Sequence, residues 1–152
     1  MSDKWFAGKK IVTFVSMNKS HTFTLELQCN APEWWRYNTN MACVTFDEQQ
    51  NQTGFYPIVQ RLAEVGVNLT ERPEGMQPKQ KLRVESGPCA YAVIQLHIIP
   101  HSLPLDEDVW EMKPLPAQLK VWMDGELHST KKLSINRFGG LSLIEELRPK
   151  AE

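Results

Sequence analysis

The sequence holds none of the short motifs that announce a chemistry: no G-x-S-x-G elbow, no H-E-x-x-H, no P-loop and no G-x-G-x-x-G. A hydrolase is then left only as a triad assembled from distant loops, because Ser, His and Asp are recognised by geometry and not by presence. Cysteine is scarce. Cys29, Cys43 and Cys89 are odd in number and lack CxxC spacing, so they make neither a disulfide framework nor a zinc site. Each stands in or beside an apolar alternating run and reads as a small buried hydrophobe. No run approaches the ~20 apolar residues of a membrane span. An excess of either charge is also missing. The 17 basic and 18 acidic residues leave a net charge of −1, which argues against bulk binding to nucleic acid or anionic membrane but leaves room for a local patch. The first residues, MSDKWFAGKK, contain no apolar core of a secretory signal, so the expected location is cytoplasmic and reducing. In that setting the sequons at Asn18, Asn51 and Asn68 carry little meaning.

What is present is an ordinary globular composition, 41% hydrophobic and 23% charged, in 152 residues. That length fits one domain, 1–152, which buries enough surface to fold without a metal or disulfide staple. Its centre is Lys81–Ile99, which contains the longest apolar run. Leu82 and Val84 alternate with Lys81, Arg83 and Glu85, the pattern of a strand with one wet face. Beyond Ser86-Gly87-Pro88, both parities of Tyr91–Ile99 are apolar, the pattern of a strand covered on both faces. The spacing predicts two adjoining strands at the middle of a mostly β protein.

Further strands are predicted at Lys9–Met17 and His21–Asn30, which pair as a hairpin. In the second of these, Phe23, Leu25, Leu27 and Cys29 alternate cleanly with Thr22, Thr24, Glu26 and Gln28. Ala31–Asn40 reads as a loop with one helical turn, and Met41–Phe46 as a strand. Pro57–Gly66 has the marks of a helix: proline at the first position, an apolar stripe through Ile58, Val59, Leu62, Ala63 and Val65, and a glycine stop. Asn68–Gln80 is an exposed connection. The long segment His101–Pro116 carries Pro104, Pro114 and Pro116, with DEDVWEM as a candidate helix. Gln118–Met123 and Glu126–Ile135 flank Asp124-Gly125, a type I′ pair. A strict two-residue loop there sets Val121 against His128, so the register calls for a bulge. Asn136–Gly140 is a turn, and Leu141–Leu147 a last strand. About eight strands and one short helix point to an antiparallel β-sandwich, with an open barrel or a sheet-plus-helix fold as the alternative.

The candidate binding residues are Trp34, Trp35, Arg36 and Tyr37, joined by Trp110. Adjacent tryptophans in a loop cannot both point into a core from a regular strand, so one ring is expected near the surface, where Trp, Tyr and Arg dominate binding. The competing reading is that the pair plugs an open end of the sandwich. His97 and His101 stand at helical metal spacing, but Pro100 lies between them in a strand. Asp106, Glu107 and Asp108 read as a solvated acidic loop before they read as a calcium site. No cofactor and no metal are expected. The sequence therefore implies a non-catalytic accessory or assembly subunit with a protein partner, working through aromatic and proline-bearing loops. Exposed edge strands leave pairing into a homo-oligomer open. A carbohydrate-binding module, with the aromatic rings as platform, is the alternative.

Overall fold

The computed structural model describes residues 20–104 and 112–149. Eight strands run through them: β1 (Phe23–Cys29), β2 (Tyr37–Phe46), β3 (Gln52–Gln60), β4 (Gln80–Glu85), β5 (Tyr91–Pro100), β6 (Leu115–Met123), β7 (Glu126–Ile135) and β8 (Leu141–Leu147). They form two four-stranded sheets, in the orders β4-β1-β6-β7 and β3-β2-β5-β8. Every pairing is antiparallel. This is a two-layer β-sandwich, as the alternation predicts.

The pleat explains why. On β1, the residues Phe23, Leu25, Leu27 and Cys29 are all buried and meet Val121 and Leu119 of β6 and Val84 and Leu82 of β4 in register. Opposite them, Met41 and Cys43 of β2 and Ile94, Leu96 and Ile98 of β5 complete one continuous core. The β6–β7 hairpin also behaves as read. Asp124 and Gly125 both take positive φ, 52° and 84°, and a bulge after Val121 moves its partner from His128 to Ser129.

Three expectations need correction. Pro57–Gly66 is not a helix, and its first residues belong to β3. Five consecutive apolar residues, Phe55 to Val59, conceal a period of two: Tyr56 and Ile58 lean on the core, whereas Phe55, Pro57 and Val59 point outward. A proline is accepted there because β3 is an edge strand. The two strands of the Lys81–Ile99 stretch do not adjoin. Ser86-Gly87-Pro88 carries the chain between layers, so β4 edges one sheet while β5 is central in the other, between β2 and β8. Only Trp34–Arg36 of the supposed loop at 31–40 is a helical turn, and β2 starts at once at Tyr37. The strand expected at Lys9–Met17, and with it the hairpin, lies outside the described residues, as do the DEDVWE residues and Trp110.

The turn from β7 to β8 depends on one glycine. Gly140 has φ of 77°, and a Cβ there would stand 1.9 Å from the Ile98 carbonyl oxygen. Gly66 has φ of 92° with open space around it. Replacing each by alanine separates the two costs. Gly66→Ala should lose about 1 kcal/mol for conformation alone, whereas Gly140→Ala should lose more than about 2 kcal/mol, read from chemical denaturation. Equal losses would show that the close approach to Ile98 is relieved without strain.

Candidate functional site

The Glu33–Tyr37 segment, expected at the surface, is instead the closure of one end of the sandwich. Trp34, Trp35, Arg36 and Tyr37 are all buried. The competing reading of the sequence, a plug, describes them correctly. Trp34 donates from Nε1 to the Pro78 carbonyl at 3.1 Å. Arg36 stacks on the Trp35 ring at 4.6 Å. Its guanidinium donates to Glu33 at 2.8 Å and to the carbonyls of Leu69 at 3.1 Å and Leu103 at 3.2 Å. Two segments distant in sequence therefore converge with the local Glu33 on one cation, whose burial is offset by these charge-assisted bonds. Tyr37 donates to the Arg137 carbonyl, and burial pushes its hydroxyl up to about 12. Rings held this way offer no face on which a sugar or base stacks.

His101 belongs to the same cluster. It is buried, and its Nε2 lies 2.7 Å from the Trp35 carbonyl while Nδ1 lies 2.7 Å from Ser102 Oγ. Ser102 Oγ in turn accepts the Leu69 amide at 2.6 Å. A neutral ring protonated on Nε2 satisfies every member of this chain. Burial is the main cause that holds His101 below the ordinary histidine value; the Arg36 charge adds to it and the bond to Trp35 opposes it. His97 lies on the opposite face of β5, against Ser142, so the pair does not converge. Among the described residues no group of three potential metal ligands comes together. The three thiols are free and buried, and burial raises Cys43 to about 12 and Cys89 to about 11, far from a reactive thiolate.

The surface with unusual character is elsewhere, and the pleat places it. On the β4-β1-β6-β7 sheet the outward positions include six charged residues: Lys81, Arg83, Glu85, Glu26, Lys120 and Lys132. Glu26 takes Lys81 and Arg83, and Arg83 also covers Trp122. This face is solvated in the ordinary way. The outward positions of the β3-β2-β5-β8 sheet form rows that read Val59–Asn40–His97–Ser142, then Pro57–Ala42–Gln95–Ile144, then Phe55–Val44–Val93–Glu146. Ile99 stands beyond one end, and a Phe46–Tyr91 stack, capped by Arg148, beyond the other. Glu146 is the only charge on the four strands' outward positions, and Arg148 neutralises it. Phe55 is 55% exposed, Val59 63%, Ile99 42% and Ile144 67%.

None of the four exposed apolar residues was a candidate from sequence. The signal was there, in the double-sided apolar pattern of Tyr91–Ile99, but it read as a covered strand. In a two-layer sandwich the second face of a central strand has no layer above it. No family model matches the chain, and no curated protein or solved structure matches it either.

The His101 geometry gives a pH dependence with a definite sign. The unfolded chain binds the proton first, near pH 6.5, while the folded protein resists it. Stability is therefore complete above that value and is lost as pH falls below about 6.5, by at most ~1.4 kcal/mol per pH unit. Denaturation midpoints measured across this range should fall in the native chain and stay flatter in His101→Gln. An unchanged slope in the variant would assign the effect to another group.

Proposed function

We propose that the protein is a non-catalytic interaction subunit whose contact surface is the outward face of the β3-β2-β5-β8 sheet. The observation that carries this reading is the contrast between the two outward faces, one with six charged positions and the other with a single neutralised charge and four large apolar side chains 42–67% exposed. Scattered apolar residues on a surface need no explanation, but four on one sheet face whose single charge is neutralised support a place for another macromolecule. Of the large hydrophobics exposed among the described residues, Val65, Val67 and Leu103 lie on the segments bonded to one another at the Ile99 end, and only Leu127 belongs to the other sheet. The contact surface moves accordingly, from the aromatic turn that the sequence suggested to the face of a sheet. Trp34, Trp35, Arg36 and Tyr37 support it from below by fixing the end of β2.

Site-specific photocrosslinking tests this. A benzophenone side chain placed at Ile144, with one at Lys120 on the charged face as control, is irradiated in the native source. The expected result is a protein adduct from position 144 and none from position 120. Equal yields from both positions, or none from 144, would remove the face from the proposal.

A further inference from the structure

We infer that the occupant of this face is a second copy of the chain, packed sheet against sheet about a two-fold axis parallel to the strands. The inference rests on the reading of the face as a contact surface and names its partner. Charge is the first argument. A two-fold axis sets any charge lying on it against its own copy, so a self-complementary face must be neutral along its centre. Here the one charged residue, Glu146, lies toward a corner and is already bonded to Arg148.

Shape is the second. Along β3, Phe55 and Val59 stand exposed on either side of Pro57, whereas β8 presents one large apolar residue, Ile144, in the same row as Pro57, with Glu146 one row beyond. An axis between β2 and β5 lays β8 of one copy over β3 of the other and seats Ile144 in the notch above Pro57. Each copy supplies one knob and one notch. Area is the third. Four strands ~4.8 Å apart, each about nine residues long at ~3.3 Å, give a planar footprint of roughly 570 Å² per copy. Two such faces lie close to the lower bound for specific interfaces, the size class of weak and transient contacts, so dimerisation is sought in the micromolar range.

Analytical ultracentrifugation of the purified chain from 1 to 200 μM (about two decades across that range) is the test, with circular dichroism confirming that each variant is folded. The native chain should pass from monomer to dimer. Ile144→Glu and Val59→Lys should each remain monomeric throughout, and their equimolar mixture should recover dimer, because the new charges then face each other. A native chain that stays monomeric at the highest concentration, or a dimer indifferent to both substitutions, would overturn the second-copy assignment. In either case a crosslinked adduct of a different chain at position 144 would leave the contact face standing with another partner, whereas no adduct at 144 would remove both.

Discussion

A β-strand sends alternate side chains to opposite faces, and a sandwich of two layers covers only one of them. Most of what this protein is follows from that constraint. In β1 the rule is obeyed with apolar residues inward and polar ones outward, and the first sheet meets water with Lys, Arg and Glu. In the second sheet the same rule turns Phe55 of β3, Val93 of β5 and Ile144 of β8 away from the core, with the buried Ala42 and Val44 of β2 among them, and no third layer of strands among the described residues covers that side. One core is built, and a second apolar surface is left beside it.

Rigidity of that surface is supplied from the end of the sandwich. Arg36 gathers Glu33, Leu69 and Leu103, while His101 and Ser102 tie Trp35 to the Leu69 amide. Asn38, at the start of β2, binds the backbone of Leu62 and Ala63 and so ties the segment after β3 back to the sheet. At the opposite end, Asp124 accepts from the Thr22 amide and pairs with His21, which fixes the β6–β7 turn to the start of β1. Burial works against ionising Asp124, but the bonds from His21 and Thr22 outweigh it and hold its carboxyl below the usual carboxylate range. A face whose central strands β2 and β5 are clamped at the Arg36 end changes shape less on binding, which lowers the ordering cost of association.

Much of this architecture was legible in the residues. The strict alternation of β1 and the Asp-Gly turn with its displaced register each encode their structure locally, and both are realised. The errors have physical causes. Phe55–Val59 is apolar at every position, with Tyr56 and Ile58 against the core and Phe55 and Val59 exposed, and a run without alternation imitates a helical stripe from Pro57 onward. At Trp34–Arg36 the sequence offers both a surface ring and a plug for the opposite reason: charged and aromatic residues in a loop look exposed until the carbonyls of Leu69, Pro78 and Leu103, far along the chain, are brought to them. The double-sided pattern of β5 was read correctly as a pattern. Its meaning depended on how many layers the fold has, and that is a property of the whole chain.

The central claim, that the outward face of the second sheet is where another chain sits, is tested most directly by hydroxyl-radical footprinting of the side chains, first in dilute purified protein and then in the assembled state isolated from the native source. Leu127, 56% exposed on the other sheet, is the internal reference. Phe55, Val59 and Ile144 should each be modified in the dilute protein and become protected on assembly, while the modification of Leu127 stays unchanged. Modification of Ile144 and Leu127 to the same extent in both states would contradict it.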